Sequence, residues 1–182
     1  MTQPDGRLRF EPITEADLPL LATWRARPHV AEWFHGPLTP EQTAAKFIPR
    51  IRGDDAVQGY IVYLEDVAVG YMQSFRVADH PDAVAALRIP GDPYGVDVLL
   101  GDADARGHGL GSRVVREFTQ RLLADAHVDY VVISPDTENI AAIRAYEKAG
   151  FAAVKTVPST KDARVNLLMD FPPGSVHARS AR

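Results

Sequence analysis

The sequence contains no cysteine. That excludes disulfides, thiolate metal sites and a cysteine nucleophile. It also lacks any apolar run near the roughly 20 residues needed to cross a bilayer. The opening MTQPDGRLRF has no apolar signal region, so a cytoplasmic protein without a membrane association is expected. Positive charge is not in excess: 20 Lys and Arg stand against 24 Asp and Glu, a net charge of −4. This argues against a nucleic-acid partner and is compatible with a cationic small molecule, although surface charge also serves solubility. The six histidines are scattered, and no metal site is expected. Internal repeats and low-complexity tracts are absent as well. What is present is an apolar content of 46% in 182 residues, enough for one domain with a full core. A monomer or a homodimer is expected.

The patterning predicts a mixed order, β α α β β β α β α β β. LRFEPI alternates as a strand with Leu8 and Phe10 inward. Thr14 with Asp17 starts one helix, and Thr39, Pro40 and Gln42 start another that runs to about Ile51. A turn-rich connection between them, RPHVAEWFHGP, carries Glu32 and Trp33. GYIVYLEDVAVGYMQSF reads as a hairpin about Glu65 and Asp66. Residues 78–93 read as a long irregular connection. YGVDVLL is a strand, and VDYVVIS is a short, almost wholly apolar one. Asn139 to Ala149 is a helix that Gly150 ends, and two closing strands follow. Residues 172–182 read as a polar, disordered tail beyond a single domain at 1–171.

Between strand and helix lies GDADARGHGLGSRVV. Gly107, Gly109 and Gly111 flank His108 and Leu110, and Leu110, Val114, Phe118 and Leu122 follow at helical spacing. Glycines admit positive φ and let a ligand approach the amides. The first turn of the helix adds unpaired N–H groups and the positive end of its dipole. Such a turn suits phosphate oxygens. The Lys-Ser/Thr ending of a P-loop is missing, and the spacing is not the GxGxxG of a dinucleotide fold. A plain glycine turn that tightens the strand–helix link fits equally well at this point.

ARGHGLGSRVV resembles the Arg/Gln-x-x-Gly-x-Gly/Ala signature of the GNAT N-acetyltransferase superfamily, through Arg106, Gly109 and Gly111. Some 30 residues on, NIAAIRAYEKAGF resembles that family's second signature through Asn139, Ala142, Tyr146, Gly150 and Phe151. The resemblance implies an α/β (α+β mixed) GNAT fold: a central twisted, mixed, mostly antiparallel sheet with helices on both faces. It implies acetyl-CoA as co-substrate and no metal. The pyrophosphate would lie on residues Arg106, Gly107, His108, Gly109, Leu110, Gly111 and Ser112, and Asn139 would bond the pantetheine unless it is simply a helix cap. A backbone N–H at Val98 or Leu99 would polarise the thioester carbonyl. Tyr146 would be the acid toward the departing thiolate, the alternative being a packed helix aromatic.

HVAEWFHG, PYGVDVLLGDADARGHGLGSRVV and AIRAYEKAGF look, more narrowly, like the aminoglycoside 6'-N-acetyltransferases, enzymes of antibiotic resistance. Asp97 then stands at the position of the catalytic aspartate. A carboxylate inside an apolar strand is costly without a partner or a task, unless it is the outward half of the strand alternation. Glu32 and Trp33 would face the cationic sugar, together with Ser134 and Asp136. Familiar members have an Asp where this chain has Ser134, and a Trp- and Glu-rich segment where it has VAALRIPGDPY. Three alternatives stand beside this reading: a siderophore-type acyltransferase acting on a lysine or hydroxylamine, a protein N-terminal acetyltransferase, and a silent acyl-CoA sensor.

Overall fold

The computed structural model describes residues 6–101, 108–125, 127–172 and 174–180. Leu8–Pro12 (β1) pairs antiparallel with Gln58–Leu64 (β2), which turns at Glu65 and Asp66 into Val67–Arg76 (β3). Tyr94–Leu100 (β4) runs parallel to Val131–Ile133 (β5). Val165–Phe171 (β7) lies antiparallel to both β5 and Ala152–Pro158 (β6). The strand order is β1-β2-β3-β4-β5-β7-β6, a mixed and mostly antiparallel sheet of seven strands.

The chain divides into two compact units. Met1–Ser74 with Asp97–Val114 forms the first, and Phe75–Val96 with Val115–Arg182 the second. The first unit is centred on Ile13, Leu21, Trp24, Val30, Phe47, Ile61, Tyr71 and Leu99. Leu18–Ala26 (α1) supplies Leu21 and Trp24, and Pro40–Arg52 (α3) supplies Phe47. Thr39 caps α3 as a capping box with Gln42, and Gly53 closes it at φ 79°. Thr14 and Asp17 form their expected box, but it opens a 3-10 turn, Glu15–Asp17, before α1 begins.

The second unit gathers Val77, Leu87, Tyr130, Val132, Val157, Leu168 and Val176. Ile140–Ala149 (α6) starts at Asn139 and ends at Gly150, whose φ is 107°. In Leu110–Leu123 (α5), Leu110, Val114 and Phe118 of the predicted stripe are buried together with Val115, whereas Leu122 is only half-buried.

Four expectations need correction. The connection after α1 contains a helical turn, Pro28–Ala31 (α2), started by its proline. Residues 78–93 are not irregular throughout. They hold the 3-10 turn Val77–Asp79 and a helix, Pro81–Leu87 (α4), with proline at its start and an alanine-rich body that buries Leu87. β5 is shorter than the 128–134 run, although Val128 and Tyr130 before it are buried; the Tyr130 hydroxyl donates to the Pro90 carbonyl at 2.5 Å. The C-terminal segment carries a short helix, Ser175–Ser180 (α7), that buries Val176. The Asp170 carboxylate anchors it, accepting the Gly174 and Val176 amides at 3.2 and 2.9 Å.

Candidate active site

β4 carries the chain into the glycine turn, and three side chains hold its end. Arg27 Nη1 donates to the Gly101 carbonyl at 2.7 Å. His29 Nε2 lies 3.2 Å from the Leu100 carbonyl, so that nitrogen must bear the proton. Trp24 packs so closely on Gly101 that any side chain there would fall inside the indole. Arg106 and Gly107 lie outside the described residues. Gly109 adopts φ 84°, which glycine accepts readily and a branched residue resists. Gly111 serves packing: a Cβ would stand 3.3 Å from Leu100 Cδ1.

The first helical bond of α5 runs from the Arg113 amide to the Gly109 carbonyl at 3.1 Å. The N–H groups of Leu110, Gly111 and Ser112 therefore precede the helical ladder and point out of the helix start. The buried Ser112 hydroxyl bonds back to the Gly109 carbonyl at 2.8 Å, which tightens the turn and leaves the Ser112 amide as its outward-facing group. His108 is exposed beside them.

Along β4, the Gly101 N–H donates to the Val69 carbonyl of β3 at 2.9 Å. Strand alternation turns the N–H of Leu99 the same way and that of Val98 the opposite way. The ladder with β5 holds only at Tyr94↔Val131 and Gly95↔Val132. Val98 is thus the amide directed away from β3, whereas Leu99 buries its side chain in the first core.

Asp97 is half-buried on the same strand. Its Oδ2 accepts a hydrogen bond from Gln73 Nε2 on β3 at 2.6 Å. Gln73 Oε1 in turn accepts from Arg50 Nη1 at 2.7 Å and from the Tyr71 hydroxyl at 3.0 Å. Arg50 also pairs with Asp55 at 3.2 Å and lies over the Phe47 ring. Burial pushes the Tyr71 phenol up to about 12, against the opposing pull of Arg50, so it remains a neutral donor. Glu32 and Trp33 sit on the turn after α2. Arg25 shapes that turn by donating to the Phe34 carbonyl and, at 3.1 Å, to that of Gly36; burial lowers its pKa.

In the second unit, Tyr146 is buried on α6, 8% exposed. Asn139 caps that helix, its Oδ1 accepting the Ala142 amide at 3.1 Å. The cap uses the side-chain oxygen and leaves the amide nitrogen for any other partner. Asp136 is committed locally: Oδ1 accepts the Glu138 amide at 2.8 Å and Oδ2 faces Arg164 at 3.4 Å. Ser134 is half-buried just after β5.

The model of the acetyltransferase (GNAT) domain family matches residues 14–159, and so takes in parts of both units. The chain belongs to the GNAT acetyltransferase family. Aminoglycoside N(6')-acetyltransferase type 1 of Klebsiella pneumoniae is 31% identical over 160 residues, covering 86% of this chain and 80% of that protein. The crystal structure of aminoglycoside acetyltransferase AAC(6')-Ib with coenzyme A and kanamycin aligns with a TM-score of 0.78 at 27% identity, over 96% of this chain and 99% of that one. The N-hydroxyputrescine acetyltransferase of Acinetobacter baumannii is 31% identical over 130 residues, covering 68% of this chain and 58% of that protein.

In this acetyltransferase several residues around Asp97 were silent in the sequence. Gln73, Arg50, Tyr71 and Asp55 meet only through the fold, and Arg27 and His29 reach β4 from 70 residues or more away. A Gln inside a β-rich run and an Arg in a helix's last turn were the available signals, and neither is specific. Among the described residues there is no group of side chains suited to a metal ion and no helix long and apolar enough to cross a membrane.

Proposed function

We propose that this GNAT enzyme transfers the acetyl group of acetyl-CoA to the 6'-amine of an aminoglycoside. The observation that carries the reading is on one strand. Asp97 stands three residues before β4 ends, and the chain then enters the helix start at Leu110, Gly111 and Ser112. This supports a proton acceptor on the strand that precedes a helix start suited to phosphate oxygens. The match over 86% of the chain to an aminoglycoside N(6')-acetyltransferase supplies the acceptor class.

In this reading the pyrophosphate lies on the amides of residues 109–112 beside His108, with the Asn139 amide nitrogen on the pantetheine; Arg106 and Gly107, expected to join them from the sequence, lie outside the described residues. The Val98 N–H meets the thioester oxygen, where negative charge develops during attack. Leu99, with its amide toward β3, supports the strand. The acceptor's ammonium gives a proton to Asp97, and the freed nitrogen attacks the carbonyl carbon. The N–C bond forms, the nitrogen gives up its second proton to solvent, the C–S bond breaks, and Tyr146 protonates the departing thiolate. Solvent restores both groups. Glu32 pairs with another ammonium of the sugar, and Trp33 offers an aromatic face. Ser134 lines the acceptor side, whereas Asp136 acts on it less directly, through its turn with Arg164. We place the reaction in the cytoplasm, where acetyl-CoA is supplied, and assign the chain one catalytic domain, monomeric or homodimeric.

A hydroxylamine acceptor is the second reading, supported by the N-hydroxyputrescine acetyltransferase relative. Thiol release from acetyl-CoA, measured with kanamycin, a hydroxylated polyamine and a peptide N-terminus, separates the two. Kanamycin is expected to give the highest kcat/KM, and Asp97→Asn to cut it by roughly 10²- to 10⁴-fold. Turnover of the hydroxylamine or the peptide alone rejects the aminoglycoside reading.

A further inference from the structure

We infer that Gln73 is a positioning residue for Asp97, held in one amide orientation by Arg50 and Tyr71. The inference rests on the reading of Asp97 as the proton acceptor. A glutamine amide presents an oxygen that only accepts and a nitrogen that only donates. On one side of Gln73 lie two donors, Arg50 Nη1 at 2.7 Å and the Tyr71 hydroxyl at 3.0 Å. On the other lies a carboxylate oxygen at 2.6 Å. Flipping the amide would set N–H groups against the guanidinium and oxygen against carboxylate. The three contacts therefore admit one orientation only.

Arg50 is itself fixed. Its side chain is 12% exposed, its Nε pairs with Asp55 at 3.2 Å, and its guanidinium lies 5.5 Å from the Phe47 ring centroid. Asp55 is anchored in turn by the Val57 amide at 2.9 Å. The chain Asp55–Arg50–Gln73–Asp97 thus runs from α3 across β3 to β4. The guanidinium polarises the amide and strengthens the donor that Asp97 receives. With Oδ2 held by Gln73, the carboxylate has a set rotamer and Oδ1 is left to meet the acceptor's ammonium. The charged and titratable groups facing Asp97 through this chain are Arg50, Asp55 and Tyr71.

Two isosteric variants test this. Gln73→Glu keeps the Arg50 contact but sets a second carboxylate against Asp97, so the two share a proton. Gln73→Met keeps the shape and removes the donor. Both are expected to lower kcat with kanamycin by roughly 10- to 100-fold, the scale of a misplaced catalytic group, with the KM for acetyl-CoA unchanged. In Gln73→Glu the acid limb of the acceptor kcat/KM profile moves to higher pH. The carboxyl-carbon NMR titration of Asp97 shifts the same way without any acceptor, so this arm stands even if kanamycin is not turned over. Calorimetric titration with acetyl-CoA verifies folding, and Gln73→Met carries the test if Gln73→Glu does not fold. An unmoved Asp97 titration and parental kcat in the folded variants overturn the inference. If Asp97→Asn is inactive at the same time, Asp97 keeps its role and only the positioning fails; a fully active Asp97→Asn overturns both.

Discussion

Tyr146 and Asp97 illustrate how differently two polar side chains are placed within this acetyltransferase. Tyr146 is buried on a helix face beside Ala149. Asp97 is half-buried and bonded through one oxygen to Gln73. A substitution that spares the ring but removes the hydroxyl separates packing from chemistry at Tyr146. Tyr146→Phe is expected to lower kcat by on the order of 10²-fold, as for loss of a general acid. The KM for acetyl-CoA and the melting temperature should stay near parental values. An unchanged kcat in steady-state thiol-release kinetics would return Tyr146 to a packing role.

At the scale of elements, α3 carries both its own stop signals and the Arg50 that reaches Gln73. The helix therefore has to start and end in register. Its start is secured twice: the Thr39 hydroxyl accepts the Gln42 amide at 3.2 Å, and Gln42 Oε1 accepts the Thr39 amide at 2.9 Å. Glu41 sits in the first turn, where its own backbone amide and then the Thr39 hydroxyl hold its pKa below the usual carboxylate value. A depressed folded pKa contributes stability above the unfolded value, about 4.3 for a glutamate, and loses it as pH falls through the folded one. Glu41→Gln should accordingly be less stable than the parent at neutral pH. The gap should close on acidification below the carboxylate range, as followed by urea unfolding at a series of pH values. Thr39→Ala should lose about 1 kcal/mol, the common cost of removing a cap.

At the scale of the whole molecule, the C-terminal segment is part of the folded body. Val176 is buried in the second unit's core, and Asp170, 1% exposed, takes its amide donors from Gly174 and Val176. Truncation after Pro172 exposes the cavity that Val176 fills, about 1.5 kcal/mol for a valine. It also strips a buried carboxylate of two donors, about 1–3 kcal/mol. Thermal unfolding should shift down by roughly 5 to 18 °C for a chain of this size. A dispensable tail would leave the melting temperature unmoved.

Local chemistry explains what could be read in advance. The caps at Thr39, Asn139 and Gly150, the hairpin at Glu65 and Asp66, and the α5 stripe are set by neighbours within a few residues, so the sequence carries them directly. The Asn139–Ala149 helix was equally legible, because its Asn139 cap and its Gly150 stop are local, and Gly109 takes the positive φ that a glycine turn admits. The helix at Pro81–Leu87 and the one at Ser175–Ser180 were not. Each is too short for periodicity to register, and burial of Leu87 and Val176 stabilises them. The hydrogen-bonded chain around Asp97 was hidden for a different reason. Arg50, Gln73 and Asp97 lie 23 and 24 residues apart. Nothing in a linear pattern relates them until β3 is laid beside β4 and α3 turns its last residues toward Gln73.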